Sequence, residues 1–249
     1  MMDKPVVWII GASSGIGREL ALGYRRDGWI VAATARPSAR LDALAAQTPG
    51  IHAFAADILD RDGLAGTFAA IETALGLPDL VIVNAGTHAP TPAADFDAER
   101  ANRIIAINLN GAVNAAGVVL PRFVQEGRGH VVLVASVAGY RGLPFAAAYS
   151  ASKAGVIALA EAFRPELDRA GVTIQVVTPG FVRTPLTDRN DFPMPFIIEA
   201  DDAARRIMRG IRGRGFEITF PKRFTWWLKV MRILPYPLYF AITRRMLRK

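Results

Sequence analysis

The chain predicts an α/β fold: a doubly wound parallel sheet in a single domain, followed by a C-terminal helical extension. Three observations predict it. Short apolar runs of strand length alternate with segments whose apolar residues recur at helical spacing, the pattern of a parallel sheet covered by helices on both faces. The runs are apolar throughout rather than alternating, as strands buried on both sides are. The chemically suggestive residues fall at the carboxyl ends of those runs, where ligands bind in such sheets.

Strands are expected at Val6–Ile10, Ile30–Ala35, Ile51–Ala55, Leu80–Val83, 130–135, 173–177 and 216–220. Between them, Leu41, Leu44 and Ala45 keep helical spacing, as do Leu64, Phe68, Ile71 and Leu75, and then Val156, Leu159, Ala160, Phe163 and Leu167. No internal repeat or low-complexity linker interrupts the chain before about Phe220. Residues 1–221 therefore read as one domain and 222–249 as a basic, aromatic-rich extension.

The bulk numbers narrow the function. A length of 249 residues suits one large α/β domain, and 51% hydrophobic residues suffice for a sizeable core. The absence of cysteine excludes disulfides, thiolate metal sites and cysteine nucleophiles. The run from Pro5 passes directly into a glycine motif and leaves no room for a signal peptide, so a cytoplasmic location is expected. The net charge of +8 lies in the extension: 222–249 holds eight Lys and Arg and no acid, while the other 22 basic residues balance 22 acids. No nucleic-acid partner is expected, since the body is neutral and carries no recognition motif. The three histidines lack metal-ligand spacing, so no metal is expected. His52 and His130 begin strands; His88 follows the fourth strand and is a candidate substrate contact.

The glycine run Gly11-Ala12-Ser13-Ser14-Gly15-Ile16-Gly17 follows the first strand and opens a helix near Ile16. Glycines there permit a tight turn and close approach of backbone to a pyrophosphate, whose charge meets the helix N-terminus. At the end of strand two the chain reads Ala33-Thr34-Ala35-Arg36-Pro37, with no acid between Trp29 and Arg40. An acid there would hold the ribose 2′-hydroxyl of NAD, whereas Arg36 suits the 2′-phosphate of NADP. Further on, Tyr149 and Lys153 stand four residues apart, one helical turn, with Ser136 thirteen residues upstream of Tyr149. A nearby ammonium stabilises phenolate and can lower the tyrosine toward working pH, which makes Tyr149 a proton donor and acceptor for a carbonyl/alcohol couple.

These residues together resemble the short-chain dehydrogenase/reductase family, a Rossmann-like fold, from about Val6 to Thr184 and less distinctly to Pro221. The family's cofactor turn T-G-x-x-x-G-x-G is similar to 10–17, with Ile10 in place of threonine. The N-N-A-G motif is similar to Val83-Asn84-Ala85-Gly86. The resemblance implies a tetrad of Asn108, Ser136, Tyr149 and Lys153. Ser136 would bond the substrate oxygen, Tyr149 transfer the proton, and Lys153 bond the nicotinamide ribose and lower the Tyr149 pKa. Asn108 would hold, through its helix backbone, a water linking Lys153 to solvent. It also implies an adenine contact at Asp57 with its neighbour Ile58, and contact with the nicotinamide from the stretch holding Pro179, Gly180, Val182 and Thr184. Family members usually pair subunits through long helices, here Ala98–Glu126 and 149–170, so a homo-oligomer, dimer or tetramer, is expected.

On the substrate side, 185–198 is the region that forms a lid in this family. Phe192, Met194, Phe196 and Ile197, with Leu143, Pro144 and Phe145, favour a small apolar carbonyl or alcohol as substrate. The alternative is that these side chains simply pack the lid shut. The extension carries one apolar stripe of Trp226, Trp227, Val230, Ile233 and Leu234 and another of Tyr239, Phe240, Ile242, Thr243, Met246 and Leu247, parted by Pro235 and Pro237. Tryptophan and basic residues beside an apolar face suit peripheral contact with an anionic membrane. A helical pair packing on its own core or on another subunit is the competing expectation. The leading function is an NADP(H)-dependent oxidoreductase; the alternative is a membrane-surface NADP-binding regulatory or scaffold protein without turnover.

Overall fold

The computed structural model describes residues 4–189, 194–213 and 215–247. The chain runs β1 (Val6–Ile10), α1 (Gly15–Arg26), β2 (Ile30–Ala35), α2 (Ala39–Gln47), β3 (Ile51–Ala55), α3 (Arg61–Leu75) and β4 (Leu80–Val83). It continues α4 (Ala98–Ile105), α5 (Gly111–Glu126), β5 (His130–Val134), α6 (Ala147–Arg169), β6 (Thr173–Pro179), β7 (Val182–Arg183), β8 (Ile198–Glu199), α7 (Ala200–Ile211) and β9 (Glu217–Phe220). Two last helices, α8 (Lys222–Ile233) and α9 (Tyr236–Met246), complete it.

Seven strands form one parallel sheet in the order β3-β2-β1-β4-β5-β6-β9. The order reverses beside β1, and the crevice at such a reversal is where the fold takes ligands. Every residue of β1 is buried, because successive side chains enter two separate cores. Trp8 and Ile10 face α3, α5 and α6; Val7 and Ile9 face α1, α2 and α7. Trp8 stacks on Phe68 with ring centroids 5.5 Å apart, and its indole N–H donates to Thr34 Oγ1 at 2.8 Å. A buried indole thus keeps its polar atom satisfied.

The strands expected at 130–135 and 216–220 are each one residue shorter, and β6 extends to Pro179. The short parallel pair β7 and β8 was not expected; strands of two residues carry no readable periodicity. The long helix over Ala98–Glu126 is broken in register by a π-helical turn at Ala106–Asn110. Its hydropathy and length would suit a membrane span. Its inner face of Ala112, Ala115, Ala116, Val119, Leu120 and Phe123 instead fills the core beneath the sheet.

The extension forms two helices, with Pro235 at the N-cap of α9 and Pro237 in its first turn, positions that need no backbone N–H. It packs on the body: Leu228, Met231 and Tyr239 join the core on the α3, α5 and α6 side. Arg141 holds the two helices together. Its guanidinium donates to the carbonyls of Met231 at 2.8 Å and Leu234 at 2.6 Å, and lies over the Tyr239 ring at 4.0 Å from the centroid. Tyr239 hydroxyl in turn donates to the Gly142 carbonyl.

Candidate active site

One large cavity, about 1020 Å³, opens at the carboxyl ends of the strands. Gly11, Ser13, Ser14, Gly15, Ile16, Arg36, Asp57, Ile58, Asn84, Ala85, Gly86, Ser136, Tyr149, Lys153, Pro179, Gly180, Val182 and Thr184 all line it. Two of the catalytic and cofactor-turn residues do not, and neither do His88, Leu143, Pro144, Phe145, Met194, Phe196 and Ile197, which were expected on the substrate side. Gly17 lies in the wall, where a Cβ would stand 2.0 Å from the Gly11 carbonyl oxygen. Asn108 lies behind it, 2% exposed.

The half of the cavity at the ends of β1 and β4 is built from backbone. Gly11 has φ of 92°, and a Cβ there would stand 2.6 Å from Ala85 N, so the turn after β1 closes on the turn after β4 only with glycine. Asn84 locks the pair: its Nδ2 donates to the Gly11 carbonyl at 2.9 Å. The first turn of α1 carries no acid, and Ser13 to Ile16 face the cavity, so the positive end of the helix is directed at it. At the far end Arg36 is exposed after β2. Asp57 is held there by a bond from Leu59 N to its Oδ1 at 3.0 Å.

Lining residues not found from the sequence include Ser38, Arg40, Thr87 and Arg103. Ser38 caps α2, accepting from Leu41 N at 3.4 Å. Arg40 lies four residues beyond Arg36, in the first turn of α2, and its place in the same basic segment could have signalled it. Arg103 stands on α4, whose approach to the cavity is a long-range contact. Three arginines and the α1 N-terminus, against the single acid Asp57, fit a ligand that is strongly anionic.

The reacting half gathers three elements. Ser136 lies two residues beyond β5; its Oγ accepts from Ala138 N at 3.1 Å, which fixes the hydroxyl. The turn after it packs against α6 so closely that a Cβ on Gly139 would stand 2.7 Å from the backbone of Lys153. Tyr149 and Lys153 project from one face of α6. Lys153 is 4% exposed, and its Nζ donates to the Val134 carbonyl at 2.8 Å. Burial lowers its pKa to about 8. Burial raises the Tyr149 phenol above its usual value, and a hydrogen bond with Ser136 opposes the rise. The expected lowering of the phenol by the lysine is therefore not the dominant effect: Nζ lies 5.9 Å from the ring centroid.

Asn108 sits in the π-helical turn, an irregularity often found at functional sites. Its side chain ties the site together. Oδ1 accepts from Thr87 N at 2.7 Å, while Nδ2 donates to the Thr87 carbonyl and to Ser152 Oγ, each at 3.0 Å. His88 meets Tyr149 edge to face with centroids 4.7 Å apart. Burial lowers its pKa, and its Nδ1 is buried with no partner among the described residues. Of the lid residues, Phe192 lies outside the described residues.

The model of the short chain dehydrogenase family matches residues 5–192. The chain belongs to the short-chain dehydrogenase/reductase family. An oxidoreductase of Myxococcus xanthus is 39% identical over 249 residues, 98% of each chain. The 2-dehydro-3-deoxy-L-rhamnonate dehydrogenase (NAD(+)) of a Sphingomonas species is 36% identical over 182 residues, 73% of each chain. The solved short-chain dehydrogenase of Sphingobium yanoikuyae in complex with NADPH is 29% identical with a TM-score of 0.79, covering 93% of this chain and 97% of that one. The chain is thus an oxidoreductase of this family with its Rossmann-like fold.

Proposed function

We propose that this short-chain dehydrogenase/reductase uses NADP(H) to interconvert a small apolar ketone or aldehyde and its alcohol. The observation that carries the cofactor choice is the segment Arg36 to Arg40 after β2, which brings two arginines and no acid of its own to the cavity. A 2′-phosphate brings two negative charges to that point, and forked guanidinium groups match it. An NADPH-bound relative supports the reading; the NAD(+)-dependent one shows that the family alone does not decide it.

The residues present fit such a cofactor. Gly11, Gly15 and the first turn of α1 offer backbone for a pyrophosphate. Asn84, Ala85, Gly86 and the stretch Pro179, Gly180, Val182 and Thr184 line the passage toward Tyr149. The bound nicotinamide supplies or accepts a hydride at the substrate carbon. In the reducing direction the Tyr149 phenol gives its proton to the substrate oxygen, and its raised pKa keeps it protonated at neutral pH. Ser136 donates to the same oxygen as negative charge develops there. Lys153, positively charged below about pH 8, sets the field around the phenol and would hold the cofactor's ribose as a second partner. Asn108 holds the turn at Thr87 beside them.

Support for an apolar substrate comes from exposed phenylalanines outside the cavity lining. Phe145 and Phe196 are 54% and 58% exposed, and both have left-handed backbone, at φ of 60° and 58°. Bulky residues adopt that conformation at a cost and mainly at functional sites. Phe196 continues through Phe224 to Phe181, with centroids 6.2 and 5.6 Å apart. We also propose that subunits pair through the exposed apolar groove between α5 and α6, lined by Val113, Gly117, Val124, Leu159 and Phe163. Cofactor oxidation across a panel of apolar aldehydes and ketones, run with NADPH and NADH in parallel, tests the reading. Faster turnover with NADPH on at least one carbonyl supports it. Tight NADPH binding with no turnover anywhere would return the chain to a binding or scaffold role.

A further inference from the structure

Outside the cavity, the largest unexplained feature is the outer side of α8 and α9. Trp226, Trp227 and Ile233 are 65%, 63% and 80% exposed. On α8 the positions 226, 230 and 233 share one face, opposite the buried Thr225, Leu228 and Met231. Helices normally bury their apolar stripe; this one buries one side and leaves tryptophans in water on the other. Tyr236, Leu238, Phe240 and Met246 add exposed apolar surface on α9. Clustered exposure of this kind marks an interaction surface.

Charge says which partner it fits. Residues 222–249 hold eight basic side chains and no acid. Lys229 pairs with Glu217 and Arg232 lies 3.9 Å from Glu161. Among the described residues, Lys222, Arg223, Arg244 and Arg245 have no ion pair. A second copy docking through this face would set like charges against each other, since a two-fold contact brings the same patch to both sides. An anionic bilayer meets both requirements: headgroups for the four free cations and an interfacial region for tryptophan.

We propose that the outer face of α8 and α9 docks peripherally on an anionic lipid surface, with Trp226, Trp227 and Ile233 entering the interface. The docked helices are tied to the site. Arg141, nine residues before Ser150 on α6, bonds the end of α8, and Phe224 packs against Gly180, which lines the cavity.

The test is co-sedimentation of the full chain with phosphatidylcholine vesicles and with phosphatidylcholine/phosphatidylglycerol vesicles, at low and high salt. Binding is expected only to the anionic vesicles and weakens as salt rises. Trp226→Ser/Trp227→Ser and Arg244→Glu/Arg245→Glu should each weaken it about tenfold or more, given roughly 1 kcal/mol per surface cation. All four positions are exposed, so the fold and NADPH binding should be unchanged. Equal binding to neutral vesicles, no binding to either, or full binding by both variants would overturn the proposal. So would dissociation of an oligomer by Trp226→Ser/Trp227→Ser, which would make the face a contact between copies of the chain.

Discussion

Lys153 Nζ donates to the carbonyl of Val134 at 2.8 Å, across from α6 to the last residue of β5. That one bond couples the helix that carries Tyr149 to the strand that leads into Ser136. Gly139 completes the coupling, because its missing Cβ lets the turn after Ser136 rest on the backbone at Lys153.

Gly139→Ala should separate the two. The added methyl would meet Lys153 backbone at 2.7 Å, and backbone cannot rotate away as a side chain can. Overpacking of this kind costs about 1–3 kcal/mol. A lower thermal midpoint and a fall in turnover are expected together. Unchanged turnover and stability would mean that the Ser136 turn and α6 are not rigidly coupled.

Lys153 also gives a pH signature. Its amine has a pKa near 8 in the fold against 10.5 for an ordinary lysine, as in the unfolded chain. The native state therefore holds that proton less tightly than the unfolded chain, and the charged amine costs stability below pH 8. The cost fades as pH rises from about 8 to 10.5. Lys153→Met removes the charge and keeps the length. The stability of the unmutated chain minus that of the variant should rise with pH across this window, with a slope approaching ~1.4 kcal/mol per unit. Denaturation curves giving a difference flat in pH would contradict a buried ammonium.

The cofactor preference rests on the arginines after β2. Arg36→Ala should weaken NADPH by about 1.5–3 kcal/mol, the worth of a hydrogen bond to a charged group. NADH, lacking the phosphate, should bind the variant and the unmutated chain about equally. Arg40→Ala should act in the same direction if both guanidinium groups share the phosphate. Equal affinities for NADPH and NADH in the unmutated chain, measured by calorimetry, would contradict the assignment.

Much of this was legible from the sequence because the signals are local. β1 to β4 lie where continuous apolar runs placed them, and the glycine turn, Arg36, Ser136, Tyr149 and Lys153 sit at strand ends or on one helix face. What was not legible depends on distant packing. The β7–β8 pair joins segments on either side of the lid region. The hold of Arg141 on α8 and α9 spans about 90 residues of chain. The lowering of Tyr149 expected from Lys153 failed for a related reason. Spacing fixes which face a side chain takes, but burial decides its titration, and burial belongs to the whole fold.

Turnover by Tyr149→Phe on a carbonyl that the unmutated chain reduces is the most direct test of the central claim. The variant keeps the ring and its contact with His88 while losing the transferable proton. NADPH oxidation should fall by about two orders of magnitude or more, as expected on removing a general acid, with the NADPH dissociation constant unchanged. A full rate from Tyr149→Phe would contradict proton transfer by Tyr149 and, with it, this account of the site.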